Sequence, residues 1–195
     1  MNTLDNCIDD IFDHYKLCLD NNRHDDYSPG EEFSSLFADD DISTLTGGSH
    51  VAENDHTSRF KNKFKDLGNK SANSLESAIT DATRKLKDKD VSKPAQNEYE
   101  DEIDEIINST KKDINNQLDR IRDDAKKVVN ELPDSAKPGF VSALKIGAGG
   151  CVGVVIKVYE FFREVIKNLV EWVKRAWESI KSLFNDIKDS IANMF

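Results

Sequence analysis

Residues that break helices or staple small folds are scarce in this sequence. Four prolines and nine glycines occur in 195 residues, and most of the glycines fall in two clusters, so long helices are expected. The three cysteines, Cys7, Cys18 and Cys151, are an odd number at no framework spacing, which argues against a secreted disulfide scaffold. The opening segment MNTLDNCIDDIFDHYK has no apolar run of the kind a secretion signal needs. An intracellular location is therefore expected, cytoplasmic with membrane association or nuclear. No alternation typical of strands persists, and no internal repeat is evident.

Catalytic motifs are lacking too. No HExxH, paired CxxC, nucleophile elbow or kinase-like set occurs. The four histidines, His14, His24, His50 and His56, all lie in the acidic first third. The GAGG run at 147–150 has neither the lysine nor the preceding strand of a phosphate cradle. Cys7, His14 and Cys18 share one line of a helical wheel, but a fourth ligand at zinc spacing is absent, so they read as buried thiols beside a histidine. The expectation is a non-enzymatic protein without a cofactor or metal.

Charge is plentiful but segregated. The net charge is -10, which disfavours direct nucleic-acid binding. Residues 1–55 hold 14 acids and 2 bases, residues 56–136 hold 17 and 16, and residues 137–195 hold 6 and 9. These ranges mark three expected regions: an acidic, largely disordered head, a charged helical middle, and a basic, apolar tail. Mean hydropathy is low at -0.62.

Within the head, residues 4–19 place Ile8, Phe12 and Tyr15 on one face of a short amphipathic helix, which needs a surface to lie on. The stretch 20–55 reads as linker. Its one concentrated apolar feature, Phe33, Leu36 and Phe37 among acids, has the composition of segments that fold in a partner's groove. A loop packed loosely on its own domain fits equally.

In the middle region, Phe60 to Leu67 suggests a short helix stopped near Gly68. Asn73 and Glu76 suggest a capping box that starts another, and Lys93-Pro94 breaks the chain. From Tyr99 to Leu132 a narrow stripe containing Ile107, Ile114, Leu118, Ile121 and Val128 repeats near the helical period of about 3.6 residues. Such a stripe suits a coiled coil or the outer layer of a bundle. Pro133 ends it, and 137–139 reads as a sharp connector.

The tail begins with FVSALKIGAGGCVGVVIKVY, residues 140–159, which is apolar nearly all round. Gly147, Gly150 and Gly153 recur every third residue, and Gly149 with Gly153 forms a pair of small residues that lets backbones approach closely. About 20 apolar residues are needed for a membrane span, and that length is reached here if Lys145 is tolerated and Lys157 snorkels. The alternatives are an ordinary core helix or a glycine-rich loop. Residues 160–195 read as one amphipathic helix carrying Trp172 and Trp177, suited to an interface, a partner or a bundle.

The expected fold is all-α: long amphipathic helices in a bundle or coiled-coil-like assembly, with a flexible acidic N-terminal region. The narrow stripe of 99–132 and the wide apolar face of 160–195 exceed what one small monomer easily buries, which suggests a homo-oligomer. The first functional expectation is a membrane-active, toxin-like effector using 140–195, its basic tail shielded by the acidic head. It predicts that deleting residues 1–55 increases lipid binding, and unchanged binding would count against it. The second is a soluble homo-oligomeric adaptor of the cytoplasm or nucleus, whose acidic motifs at 4–19 and 33–37 recruit an unidentified protein. Replacing Phe33, Leu36 and Phe37 would abolish that adaptor's activity and leave lipid binding unchanged.

Overall fold

The structure, a computed structural model, describes residues 3–37, 55–88 and 92–195. Among these residues there are helices and turns and no strand. α1 (Thr3–Asp20) is followed by a 3-10 helix at Glu31–Leu36. Then come α2 (Asp55–Asp88), α3 (Lys93–Val129), α4 (Lys137–Lys167), α5 (Leu169–Val173) and α6 (Ala176–Ala192). The all-α bundle expected from the scarcity of breakers is the fold observed.

α4 is the central element. It packs against α1, α2, α3 and α6, because its surface is apolar on nearly every side and only a complete sheath can remove it from water. α2 and α3 form a long antiparallel pair. Thr83 Oγ1 lies 3.0 Å from the Tyr99 hydroxyl near the turn end, and Lys63 Nζ lies 2.7 Å from Asp124 Oδ2 towards the other. α6 runs back along α2 and α4, where Lys188 bonds Glu76 Oε2 at 2.5 Å and Lys157 bonds Ser190 Oγ at 3.0 Å.

α1 closes the sheath. Ile8, Ile11, Phe12 and Leu19 are fully buried, and the Phe12 ring stacks on Phe64 of α2 at 6.4 Å. Its polar edge meets α3: Lys16 pairs with Asp119 at 2.8 Å, and Asp9 pairs with Lys126. Arg122 sits amid Asp9, Asp13, Asp119 and Asp123. After α1, Asn22 takes a left-handed backbone (φ 53°), a conformation that asparagine tolerates. The chain then doubles back along the helix, where Asp25 O accepts a 2.8 Å bond from His14 Nε2.

Several element boundaries differ from expectation. Gly68 does not stop a helix, and Asn73 does not cap one. α2 runs unbroken for 34 residues, with Gly68 buried under Ile191 of α6, and Glu76 paired with Lys188 instead of serving a capping box. Residues 137–139 are not a connector but the first turn of α4, where Pro138 is tolerated because the first amides have no intrahelical partner. The turn itself is a 3-10 helix at Asp134–Ala136. The tail beyond 160 is broken rather than continuous: α4 ends at Lys167, and Asn168 (φ -131°, ψ 39°) is not helical. That break lets α6 turn back onto α2.

Candidate functional site

Each glycine on the inner face of α4 has a different neighbour. A Cβ built at Gly147 would lie 2.1 Å from Cδ2 of Phe64 on α2. At Gly149 it would lie 2.8 Å from the Tyr15 hydroxyl of α1, and at Gly150 2.2 Å from the terminal methyl of Met194. These separations are far below van der Waals contact, so three side chains rest directly on the α4 backbone. At Gly153 the nearest atom is Cδ2 of His24 at 3.5 Å, an ordinary contact. The small-residue pattern thus serves close approach within one chain, with α1, α2 and the residues after α6 as the approaching parts.

The α1 side of this face is held by polar bonds as well as packing. His24 Nε2 donates to the carbonyl of Gly149 at 3.3 Å. The Tyr15 hydroxyl accepts from the Tyr27 amide at 3.4 Å, and the Tyr27 hydroxyl donates to Asp10 Oδ2 at 3.3 Å. Burial pushes the Tyr15 phenol up to about 12, partly offset by its bond from the Tyr27 amide. Burial likewise raises Tyr27, with the carboxylate of Asp10 adding to the effect. Both phenols are therefore neutral donors and acceptors at physiological pH.

The two lysines of the apolar segment face outward to different degrees. Lys145 is half-buried and lies 5.4 Å from the centre of the Phe37 ring. Lys157 is exposed and bonds Ser190 Oγ. Trp172 is nearly buried between Phe162 (5.8 Å) and Tyr99 (6.3 Å), whereas Trp177 is 38% exposed with Arg84 and Lys87 against its ring.

The expected partner-binding residues lie in or against the chain's own bundle. Ile8 and Phe12 are fully buried and Tyr15 is 2% exposed. Phe33 is buried as well, in a short 3-10 helix that packs on α4, and Phe37 is half-buried beside Tyr27. The backbone of Leu36 belongs to the same 3-10 helix, but its side chain lies outside the described residues, as do residues 38–54. The stripe of α3 is likewise filled from within. Ile107, Ile114, Leu118 and Ile121 are buried. Val129 replaces Val128 as the last buried residue, since the spacing 121, 125, 129 follows the inner face and Val128 is turned partly outward.

All three cysteines are free and buried. Cys18 Sγ lies 3.5 Å from His14 Nε2, the nitrogen committed to Asp25 O. Among the described residues no cluster of histidine, cysteine and acid side chains is arranged to hold a metal ion.

The signal missed in the sequence is Tyr15. Its place on a short amphipathic face is legible, but its role as the residue resting on Gly149 depends on the parallel packing of α1 beside α4. No protein-family model, curated protein or solved structure matches this chain.

Proposed function

We propose that the protein is a non-enzymatic, conditionally membrane-inserting effector in which α4 is the inserting helix and α1 the part of its sheath that releases it. One observation carries the reading. The helical stretch 134–167 contains an 18-residue window of mean hydropathy 1.8 with at most two charged residues, and 67% of that window is buried beneath other helices of the chain. Residues 140–159 extend about 30 Å as a helix, the thickness of a bilayer's hydrocarbon core. Lys145 lies near one end of that span, and Lys157 near the other. Both therefore reach an interface by snorkelling, avoiding the roughly 3 kcal/mol that a lysine costs at the bilayer centre.

The reading also assigns a part to the charge layout. α1 carries acids that pair with Lys126 and Arg122 of α3, pairs that salt or an anionic surface competes for. Once α1 leaves, the Gly149 and Gly153 face is free for close contact with a second α4 in the bilayer, the geometry that small residues favour there. Self-association on this reading follows insertion.

Flotation of the full-length chain with vesicles containing anionic phospholipid tests it, beside a Lys126→Glu variant that opposes α1 docking. The variant is expected to float to a greater extent than the wild type and to remain bound in high salt. If neither floats while the variant's α1 is demonstrably undocked, α4 is a core helix only.

A further inference from the structure

Beside the glycine face lies an open-sided groove of about 500 Å³, within the size range of small-molecule sites. Its floor is α4 from Lys145 to Glu160, with Gly149, Gly150 and Gly153 at the centre. One wall is Tyr15 with His24 and Asp26, and the other is the end of α6 with Ile187, Ile191 and Met194. We infer that this groove binds a single-chain amphiphile, a long-chain carboxylate, with its hydrocarbon along the glycine floor and its carboxylate at Lys157.

Three features support this occupant. Gly153 is the first. Gly147 and Gly149 are forced by the rings of Phe64 and Tyr15, and Gly150 meets the movable tip of Met194, but nothing in the fold presses on Gly153. Glycine inside a helix costs up to about 1 kcal/mol relative to alanine, so the fold alone gives no reason for glycine at 153. Its effect is to keep the groove deep.

Met194 is the second. It roofs Gly150 by the tip of a flexible thioether rather than by a rigid ring or backbone. A methionine side chain repacks readily, so a slender chain can displace the tip and extend the groove along α4. The floor from Lys145 to Lys157 spans about 18 Å at the helical rise, the reach of an extended chain of a dozen or more carbons.

Charge at the C-terminal end of the floor is the third. Lys157 is exposed and hydrogen-bonds a neutral hydroxyl, that of Ser190, which itself donates to Asp186 O at 2.8 Å. Among the described residues no carboxylate lies within ion-pair distance of Lys157, so its ammonium retains donors for an incoming carboxylate. Glu160, one turn beyond Lys157, and Asp26 also border the groove, and they set a limit on the ligand: a singly charged head at Lys157 is admitted, and a dianionic one is repelled.

The groove does not depend on membrane insertion, and binding is measured without vesicles. Dodecanoate, below its micelle concentration, is titrated into the full-length protein by calorimetry, with dodecyltrimethylammonium and hexanoate alongside. Saturable dodecanoate binding, with hexanoate weak, is expected. Gly153→Leu fills the floor and is expected to weaken dodecanoate by about tenfold or more. Lys157→Glu, at an exposed position that leaves the fold intact, is expected to weaken dodecanoate by about fivefold and not to weaken the cationic amphiphile. Absence of dodecanoate binding to the wild type overturns the inference. So does binding unaltered in Lys157→Glu, or in a Gly153→Leu protein with native circular dichroism.

Discussion

The hydroxyl of Tyr15 rests on the backbone of Gly149, so close that a Cβ at 149 would lie 2.8 Å from its oxygen. Two helices far apart in sequence therefore meet without a side chain between them on the α4 side. Gly149→Leu is expected to lift α1 from the bundle, and amide exchange restricted to α1 and residues 21–27 should accelerate. Exchange that is unchanged in α1, or accelerated equally everywhere, would show that Tyr15 is not the point of attachment.

Glycines on the same helix should respond in opposite directions. Gly153→Ala meets only ordinary contact with His24, and gaining helix propensity it should stabilise the protein by about 0.5–1 kcal/mol. Gly147→Ala drives a methyl into the ring of Phe64, and overpacking of this kind destabilises by about 1–3 kcal/mol. Urea denaturation of both variants measures the difference in sign. Equal effects would mean that the bundle relaxes freely around Phe64.

How much of this was legible in the sequence depends on whether one chain segment or two were needed to see it. The narrow stripe of α3, the apolar α4 and the amphipathic face of α1 follow from spacing alone, because the helical period is a property of one segment. The misplaced breaks have a common cause. Gly68 and Asn73 carry local stop and start signals, but burial of Gly68 beneath Ile191 of α6 rewards a continuous helix. The break at Asn168 is the reverse case: the amphipathic pattern continues across it, and only the return of α6 along α2 shows why the chain bends. The groove was not legible at all, since its two walls come from residues 15–26 and 187–194.

Thr83 is fully buried, and it completes a short relay. The Tyr99 hydroxyl donates to Thr83 Oγ1 at 3.0 Å, and Thr83 donates to Ile79 O at 2.7 Å. Thr83→Val keeps the shape but leaves the buried Tyr99 hydroxyl without that acceptor. A loss of about 1–3 kcal/mol in thermal or urea unfolding is expected. A loss near zero would mean that water reaches the phenol.

Alkaline pH should unfold the protein early. Burial pushes the Cys7 thiol and the Tyr15 phenol up to about 12, and raises the Tyr27 and Tyr99 phenols as well. The folded chain thus holds these protons more tightly than the unfolded one. The stability they contribute is complete below the ordinary thiol and phenol values of about 8.5 and 10, and it is lost as pH rises from there towards the folded values. The urea midpoint should fall steadily above about pH 9. Burial raises the Cys151 thiol to about 12 as well, so Cys7→Ala should lessen the early fall without moving its onset. A midpoint flat to pH 11 would refute the assignment.

Salt should loosen α1 before the rest of the bundle. Its links to α3 through Lys16, Arg122 and Lys126 are partly exposed ion pairs, and such pairs contribute little each and weaken further on screening. Proteolysis near residues 21–30 should therefore accelerate between low and high salt, with α2–α4 protected. Uniform protection at both salt concentrations would place the attachment of α1 in its apolar face alone.

The distance along the chain between docking partners has a consequence for synthesis. Lys16 is separated from Asp119 by 103 residues, and His24 from Gly149 by 125. At translation rates of about 5–20 residues per second, α1 leaves the ribosome roughly ten seconds before its seat on α4 exists. Throughout that interval Ile8, Ile11, Phe12 and Leu19 lack the α4 surface that completes their cover, so the first helix made must wait for the fourth before it is fully housed.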